Sequence, residues 1–407
     1  MAEAGIVIVG AGQAGGRCAE ALRAAGVTAA IVILGEEPWA PYERPPLSKE
    51  LLAGKIGVEK ILVRPEPWYA ENNVELRKQA RVTGIDRAAR RVTLEGGESL
   101  PYATLVLATG ARVRKLPGLP DLAGIHYIRD IDDCFALKER LVAGHRLAVI
   151  GAGFIGLEVA ATAKELGCDV TVIEIAPQPM ARVTAPELGR HYMALHRSKS
   201  VTVLTETGVA TVAAEGGALR LTLTRGDPLV VDSLVVGIGI VPNVELARDA
   251  GLAIDNGIVV DEYGRTGDPS IYALGDCAAF LHPSLGRRLR LEAWLHAQNQ
   301  AVAVARNIAG ANAKYDELPW AWSDQYGINL QIAGAPVTWE RVAWRGDPAS
   351  GKAILFYFTA DRVVAANAID MARDMRFVRQ IIAAGKPADE AKLLDPAVKL
   401  QDLAKAL

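Results

Sequence analysis

An aliphatic run followed at once by a glycine-rich turn opens the chain. Residues 6–9 are apolar, residues 10–15 read Gly-Ala-Gly-Gln-Ala-Gly, and a second apolar run covers residues 29–34. Short apolar runs that stop at turn residues are typical of buried parallel strands. The order predicts a strand, a tight turn, a helix and a second strand.

The same order returns about a third of the chain later. Residues 147–150 are apolar, residues 151–156 read Gly-Ala-Gly-Phe-Ile-Gly, and residues 170–173 form a second apolar run. A single glycine motif is weak evidence, but here the strand, turn, helix and strand agree in both copies. The sequence therefore predicts two βαβ units of one kind.

Both turns have the chemistry of a dinucleotide site. Glycine allows a tight turn and a close backbone approach, so that a pyrophosphate can lie at the N-terminus of the following helix. An acid about 20 residues further on, Glu36 in the first copy and Glu174 in the second, can accept hydrogen bonds from ribose hydroxyls. The glycines concerned are Gly10, Gly12, Gly15, Gly151, Gly153 and Gly156.

Between and after these units the pattern changes several times. Residues 38–49 are too rich in proline for a helix, and residues 74–107 predict short strands with a turn at 95–97. The last of these strands stops at Thr109 and Gly110. A helix is predicted at about 186–198, with strands near 201, 219–223 and 234–238.

The final third returns to the first pattern and then leaves it. Residues 271–276 predict a strand that ends in Gly275 and Asp276, and a helix follows at about 292–308. From about residue 323 onward, alternating stretches such as 353–359 and 362–366 predict antiparallel strands, with helices near the end.

These elements predict an α/β chain with two Rossmann-like dinucleotide-binding domains and a C-terminal α+β domain. The predicted segments are 1–111 for the first part of one dinucleotide domain, 112–240 for the second dinucleotide domain, 241–322 for the remainder of the first, and 323–407 for the C-terminal domain.

Composition narrows the range of partners. The chain has 407 residues, half of them hydrophobic, and a formal net charge of -2. Without a basic excess, a nucleic-acid or membrane-surface role is not expected. No apolar run approaches the ~18 residues that span a bilayer, and residues 1–5 lead straight into the first strand. We expect a cytoplasmic protein.

The four cysteines are widely separated. They are Cys18, Cys134, Cys168 and Cys277, with no Cys-x-x-Cys motif and no metal-type cluster with histidine. We expect reduced, incidental thiols and no metal site.

With two such units, the sequence resembles the glutathione-reductase-type flavoproteins, in which the first Rossmann unit binds FAD and the inserted unit binds a nicotinamide nucleotide. Two motifs, Arg44-Pro45-Pro46-Leu47-Ser48-Lys49 and Pro319-Trp320-Ala321-Trp322-Ser323-Asp324-Gln325, are similar to the oxygenase-coupled ferredoxin reductases of that superfamily. Disulfide reductases of this fold carry cysteine soon after the first acid, where this chain has Lys49. Electrons would therefore leave the flavin without a thiol relay.

The resemblance implies a set of FAD contacts. For Asp276 there is also a chemical reason, because a carboxylate at the end of a strand can bond the ribityl chain. Together with the three glycines of the first turn, the implied contacts are Ala14, Glu36, Arg44, Lys49, Val82, Thr109, Gly110, Arg129, Gly275, Asp276 and Trp294. Val82 and Trp294 could equally be core residues, and Arg44 and Arg129 could be surface charges.

In the second unit the resemblance implies an NAD site. Phe154, Ile155 and Gly239 would lie along the nucleotide together with the three glycines of that turn. Glu174 would accept from a free 2'-hydroxyl and repel a 2'-phosphate, and residues 175–177 supply no cation. Gln178 stands where relatives often have arginine, although Arg182 is nearby.

Lys49 and Glu158 are implied to meet close to flavin N5, where a lysine would stabilise the charge of reduced flavin and the carboxylate would hold the lysine. Trp320 is implied to stack near the flavin from the acceptor side. The alternatives are an ordinary ion pair and a core tryptophan.

The implied function is electron transfer from NADH through FAD to a small [2Fe-2S] ferredoxin that supplies an oxygenase, by a monomer or weak dimer. Arg306, on the helix at 292–308, is the implied docking cation for an acidic ferredoxin. Alternatives are a rubredoxin reductase, an NADH oxidase, or a redox-responsive NADH-binding protein of the apoptosis-inducing-factor kind.

Overall fold

The chain folds into two compact units. The computed structural model describes residues 5–407. The units are built from alternating segments: the first from the described part of Met1–Pro45 with Gly57–Arg112 and Ile240–Glu317, the second from Pro46–Ile56, Val113–Gly239 and Leu318–Leu407. The chain thus leaves the first unit three times and returns to it twice.

The described residues form strands and helices that we number along the chain. The strands are β1 Gly5–Val9, β2 Ile31–Leu34, β3 Val74–Arg77, β4 Val82–Asp86, β5 Arg91–Leu94, β6 Ser99–Leu107, β7 Ala111–Val113, β8 Ile125–His126, β9 Arg146–Ile150, β10 Asp169–Ile173, β11 Thr202–Leu204, β12 Val209–Glu215, β13 Ala218–Leu223, β14 Leu229–Val231, β15 Ser233–Val236, β16 Ile240–Pro242, β17 Ile258–Val260, β18 Ile271–Ala273, β19 Ala278–His282, β20 Arg287–Leu289, β21 Trp320–Gln325, β22 Ile328–Ala333, β23 Arg341–Arg345, β24 Ala353–Thr359 and β25 Arg362–Ile369. The helices are α1 Gln13–Ala24, α2 Glu66–Glu71, α3 Ile131–Lys138, α4 Phe154–Glu165, α5 Pro186–Ser198, α6 Glu245–Asp249, α7 Trp294–Ile308, α8 Ala372–Ala384, α9 Glu390–Leu394 and α10 Leu400–Ala406.

A mainly parallel sheet forms the centre of the first unit. Strands β3, β2, β1 and β6 pair in this order, and β18 pairs with the same β6, all in parallel. Strands β5 and β4 extend β6 in antiparallel fashion. Because the carboxyl ends of parallel strands share one edge, the turns after β1, β6 and β18 come together there.

Two helices rich in alanine cover one face of this sheet. Helices α1 and α7 pack side by side, and small side chains let helices approach closely. The buried residues of this layer are Ala14, Cys18, Ala19, Leu22, Ala297, Ala301, Val304 and Ala305. The unit also contains a small three-stranded sheet with the order β17-β19-β20.

The second unit repeats the parallel arrangement and adds an antiparallel sheet. Strands β11, β10, β9, β15 and β8 pair in this order in parallel, with the three-stranded β12-β13-β14 beside them. The C-terminal sheet has the antiparallel order β21-β22-β25-β24-β23, and α8 and α10 pack against it. Two mainly parallel sheets, each with a glycine turn after its first βαβ strand, and a C-terminal antiparallel sheet confirm the predicted fold class.

Several elements agree with the sequence predictions. Helix α5 and the strands β24 and β25 lie where the periodicity placed them, and α7 begins at Trp294, two residues later than predicted. The proline-rich segment contains only a short 3-10 turn, Pro45–Ser48. The four-segment division at 111, 240 and 322 stays a prediction. Every helix within residues 5–407 falls short of the length and apolar character needed to cross a bilayer.

Arg345 at the end of β23 forms hydrogen bonds with the backbone of the C-terminal segment. Its guanidinium donates to the backbone carbonyls of Leu393, Asp395 and Val398 at 2.8, 2.6 and 2.7 Å, and to that of Pro396 at 3.3 Å. The side chain is buried, so these carbonyls have little access to water. One buried cation therefore satisfies the carbonyls that precede α10.

We expect Arg345→Met to destabilise the protein by about 3 kcal/mol, because buried carbonyls would lose their donors. The thermal midpoint should fall by several degrees, and amide hydrogen exchange should accelerate most in residues 390–407. Arg362→Met, at an exposed position of β25, is the control. Uniformly accelerated exchange, or exchange like that of the control, would contradict this local role.

Candidate functional site

The first glycine turn is shaped so that a ligand can lie against its backbone. Gly10 follows β1 with a φ of +115°, and a Cβ there would overlap the carbonyl oxygen of Ala108. A Cβ on Gly15 would overlap the carbonyl oxygen of Gly10, so both positions need glycine for packing. Around a Cβ on Gly12, by contrast, no atom lies within 4 Å. Gly12 leaves room beside the N-terminus of α1 for an anionic group.

The second glycine turn has the same construction. Gly151 has a φ of +99°, and a Cβ there would overlap the carbonyl oxygen of Gly237. A Cβ on Gly156 would overlap the oxygen of Gly151, whereas the space around Gly153 is open. The same division of roles in both units fits two dinucleotide pyrophosphates.

Gln13 adds a second sign that the first turn accommodates a ligand. It is the first residue of α1, and its side chain is 8% exposed. Neither its amide nitrogen nor its amide oxygen has a hydrogen-bond partner among residues 5–407. Because a buried unpaired amide is costly, the site fits a bound group that carries donors and acceptors.

The turn after β18 lies against the start of α1. Gly275 has a φ of +75°, and a Cβ on it would approach the side chain of Ala14 to 3.0 Å. Its N–H donates to Oε1 of buried Gln300 on α7 at 2.7 Å. Asp276 follows directly, half-buried in a short 3-10 turn. The structure therefore brings together three residues predicted to contact FAD.

The acids after β2 have different surroundings. Arg44 donates to Glu37 at 2.7 Å and to the Tyr42 hydroxyl at 2.9 Å, and that hydroxyl donates to Glu37 at 2.5 Å. The side chain of Glu36 is 71% exposed, and the guanidinium of Arg81 lies 3.7 Å away. Glu37 is thus committed to Arg44, while the carboxylate of Glu36 is open to a ligand.

Other predicted contacts of the first unit occupy separate places. Thr109 Oγ1 donates to the carbonyl oxygen of Asn243 at 2.7 Å, and the Asn243 N–H donates to the carbonyl of Gly110 at 3.0 Å. Val82 packs in the hydrophobic core together with β5 and β6. Trp294 begins α7 and is half-buried. The structure places Val82 among core side chains, and its contact with FAD stays a prediction.

In the second unit, the side chain of Glu174 bonds to the backbone of the glycine turn and to that of the segment after β10. Its carboxylate accepts from the backbone N–H of Ala152 at 2.7 Å and from that of Ala176 at 2.9 Å. Ile175 between them is 80% exposed. The carboxylate is therefore held at the edge of the turn, next to an apolar residue that leaves space for a nucleotide.

Arg182 and Gly239 meet at the carboxyl edge of the same sheet. A Cβ on Gly239 would lie 3.3 Å from a guanidinium nitrogen of Arg182, and the φ of Gly239 is +102°. Phe154 and Ile155 form the first turn of α4, where Ile155 is 46% exposed. These residues border the second glycine turn, and their contacts with NAD stay predictions.

Lys49 and Glu158 form a buried ion pair in the second unit. Nζ of Lys49 lies 2.7 Å from Oε2 of Glu158, and the two side chains are 12% and 3% exposed. Ser48 Oγ donates to the same carboxylate oxygen at 2.5 Å, and Ser323 Oγ donates to the other at 2.7 Å. Helix α4 also holds the segment of Lys49, because Thr162 Oγ1 donates to the carbonyl of Ser48 at 2.8 Å.

Such a pair is costly to bury unless every lone pair and proton has a partner. Here the carboxylate accepts from one ammonium and two hydroxyls, so its charge is well satisfied. The ammonium also donates to Ser48 Oγ at 3.4 Å, so it can donate one more hydrogen bond or present its charge to a bound ligand. The arrangement can hold one positive charge in a fixed place.

Two predicted residues of the second unit lie outside this cluster. Trp320 begins β21 and is half-buried, with the guanidinium of Arg379 5.2 Å from its ring centroid. The backbone N–H of Arg129 donates to Asp133 at 2.9 Å near the start of α3. Their roles toward a flavin stay predictions.

Sequence reasoning missed the residues that support these groups. Ser48 and Ser323 both lie inside motifs that the resemblance singled out, so the motifs contained the signal. Asn243, Gln300 and Glu37 have no comparable pattern around them. The partners of Asn243 and Gln300 are 134 and 25 residues away, and those of Glu37 are five and seven residues away. All three sets of contacts become visible only in the structure.

Comparisons with known proteins agree with this geometry. Residues 4–301 match the family model described as pyridine nucleotide-disulphide oxidoreductase, and residues 320–404 match the reductase C-terminal model.

The relatives are similar over nearly the whole chain. An anthranilate 1,2-dioxygenase system ferredoxin-NAD(+) reductase component from Burkholderia cepacia is 46% identical, over 97% of this chain and 98% of its own length. Rhodocoxin reductase from Rhodococcus erythropolis is 41% identical, over 96% and 92%. The crystal structure of a covalent putidaredoxin reductase-putidaredoxin complex contains a chain with a TM-score of 0.96 and 37% identity, covering 100% of this chain and 99% of that one. The chain thus belongs to the pyridine nucleotide-disulphide oxidoreductase family and carries a reductase C-terminal domain.

Proposed function

We propose that this chain transfers electrons from NADH through FAD to a ferredoxin. The observation that carries the proposal is the presence of two dinucleotide turns of the same construction in one chain, with no cysteine soon after the first acid, Glu36. No cysteine stands between Cys18 and Cys134. Burial raises the pKa of both thiols to about 12, so neither supplies a thiolate at neutral pH.

The relatives support the same conclusion. Those described above are named as reductases of a dioxygenase system, of rhodocoxin and of putidaredoxin. The family confirms the predicted use of FAD and a nicotinamide nucleotide. Bound FAD would accept two electrons from NADH and release them one at a time.

The residues of the chain would contribute positions and charge. The first turn, with Asp276 and Glu36, would hold FAD, and the second, with Glu174, would hold NADH. Lys49, fixed by Glu158, would stabilise negative charge that develops on reduction. No observation favours the oxidase, rubredoxin or redox-responsive alternatives over this reading.

Turnover separates these functions. Purified protein with NADH should reduce cytochrome c many times in the presence of a suitable ferredoxin, with little oxygen consumption. Oxygen uptake that keeps pace with NADH oxidation would indicate an oxidase. A single reduction followed by a long-lived reduced complex, with every ferredoxin and rubredoxin tested, would indicate a redox-responsive binding protein.

The finer description of the partner is also part of the proposal. We infer a [2Fe-2S] ferredoxin serving an oxygenase, and a monomer or weak dimer. Cytochrome c assays with plant-type, Rieske-type and vertebrate-type [2Fe-2S] proteins and with rubredoxin would rank the acceptors. Sedimentation velocity across a range of concentrations would determine the oligomeric state.

Arg306 is the predicted docking cation. It is exposed in the last turn of α7, and exposed cations accelerate encounter with acidic partners. We expect Arg306→Glu to raise the apparent KM for ferredoxin several-fold and to weaken its salt dependence, with ferricyanide reduction by NADH unchanged. Arg220→Glu, at an exposed position of β13 in the other unit, is the control. If both acceptors respond equally, or neither does, Arg306 is not part of the docking surface.

A further inference from the structure

A chain of hydrogen bonds extends from Glu158 through the C-terminal sheet to α5. Ser323 Oγ lies 2.7 Å from Glu158 and 3.1 Å from Nε2 of Gln325. Oε1 of Gln325 lies 2.8 Å from Nε2 of His196, and Nδ1 of His196 lies 3.1 Å from the Tyr326 hydroxyl. All five residues belong to the second unit.

The charge of Glu158 determines the direction of every bond in this chain. An ionised carboxylate only accepts, so Ser323 must donate its single hydroxyl hydrogen to it. The Ser323 oxygen then accepts from the amide nitrogen of Gln325, which turns the amide oxygen toward His196. His196 must therefore donate from Nε2, and its Nδ1 accepts from Tyr326. One charge thus orders all the donors toward itself.

Burial keeps the chain closed to competing partners. Ser323, Gln325 and His196 are at most 1% exposed. Burial also lowers the pKa of His196 and raises that of Tyr326, which favours the neutral forms that this direction requires. Water has little access to exchange these bonds.

The alternation of β21 explains how one strand supplies two members. Successive side chains of a strand point to opposite faces, so Ser323 and Gln325 share one face. The other face carries Trp320 and Trp322, whose ring centroids are 6.1 Å apart. The motif at 319–325 therefore places a polar pair on the α4 and α5 side of the strand.

Tyr326 occupies an unusual place for a bulky residue. It forms the two-residue turn between β21 and β22 with Gly327, and its φ is +55°. The left-handed region costs a residue with a Cβ about 1 kcal/mol, and Asn is the usual choice in this position. The tyrosine at this turn brings its hydroxyl to His196 and its ring edge-on to the imidazole, with centroids 5.1 Å apart.

We propose that Ser323, Gln325 and His196 are positioning residues for Glu158 and, through it, for Lys49. The inference rests on the proposed function, in which Lys49 stabilises reduced flavin. The chain of hydrogen bonds orients side chains and does not conduct protons, because the amide of Gln325 cannot pass a proton onward without changing its bonding. Its effect is to hold the carboxylate in one rotamer, with the other oxygen directed toward Lys49 and Ser48.

Gln325→Glu tests the direction of the chain while preserving its shape. The new carboxylate would accept from both His196 and Ser323, which takes the Ser323 hydrogen away from Glu158. Ser323→Ala removes the same donor without adding charge, so the inference can be tested even if one of the two variants folds poorly. We expect both to slow flavin reduction about tenfold, in keeping with loss of a hydrogen bond to a charged group.

Two controls match these changes. Gln331→Glu places a carboxylate on the adjacent strand β22, outside the chain of bonds. Tyr192→Phe removes a buried hydroxyl of α5 that has no hydrogen-bond partner among residues 5–407. Both should retain wild-type flavin reduction.

The measurements are stopped-flow reduction by NADH, the NADH dissociation constant, and the flavin midpoint potential of the FAD-loaded protein. The flavin midpoint potential should be lower than wild type in Lys49→Ala. It should also be lower in Gln325→Glu and Ser323→Ala, by a smaller amount, while the affinity for NADH is unchanged. Wild-type rates and potentials in both variants, with Lys49→Ala and Glu158→Ala impaired, would overturn the positioning role and leave the proposed role of the ion pair intact. If Lys49→Ala and Glu158→Ala are themselves unimpaired, both ideas fail.

Discussion

Lys49→Ala should slow reduction of the flavin by NADH roughly 100-fold while FAD stays bound, since removing one fixed group that stabilises developing charge typically costs on the order of 100-fold or more. The side chain of Lys49 is 12% exposed and its ammonium lies 2.7 Å from Glu158, so the charge is held in one place. Glu158→Ala should have a similar effect, because it releases the lysine from its position. Stopped-flow absorbance with NADH in excess measures the rate, and flavin content after gel filtration measures retention.

Lys55→Ala is the matched control. Lys55 lies in the same segment, Pro46–Ile56, and pairs with Glu165 of the same helix α4 at 3.6 Å, but the two side chains are 63% and 44% exposed. Exposed pairs of this kind contribute little. Wild-type flavin reduction and an unchanged potential in Lys49→Ala and Glu158→Ala would show that the buried pair is structural only.

The protein is expected to prefer NADH over NADPH by about 100-fold in kcat/KM, because a carboxylate that bonds a ribose hydroxyl would repel a 2'-phosphate. The structure holds Glu174 by two backbone N–H groups at the glycine turn. Exposed Ile175 beside it offers no cation. Steady-state kinetics with each nucleotide at saturating acceptor measure the ratio.

The double variant Glu174→Ser, Ile175→Arg should narrow this preference at least tenfold, by removing the repulsion and adding a phosphate partner. Asp169→Ser, at the opposite end of β10, is the control and should leave the ratio unchanged. An equal or better kcat/KM with NADPH in the wild-type chain would contradict the assignment of Glu174 to the ribose.

Local patterns were sufficient to predict the dinucleotide turns. The φ of Gly10 and of Gly151, and the overlap that a side chain would cause there, follow from a strand that turns at once into a helix. Such a turn involves only neighbouring residues, so its signature is written in consecutive positions. The absence of a cysteine pair near the first turn could be seen in the same way.

The cluster around Glu158 could not be predicted from local patterns. Glu158 is 109 residues from Lys49 and 165 from Ser323, and His196 is 129 from Gln325. The resemblance suggested the first of these contacts, and nothing in the spacing suggested the others. Contacts at such separations depend on which faces of α4, α5 and β21 pack together.

By itself, then, the sequence determined the fold class, the two nucleotide turns and the absence of a cysteine soon after the first acid, because each depends on short-range backbone geometry or on composition. Only the tertiary structure decided that Pro46–Ile56 belongs with the second unit and that Glu158 is held by hydroxyls from two distant segments. The physical reason is that a buried carboxylate must be satisfied by whatever donors the packing brings to it, and no periodicity along the chain records which donors those are.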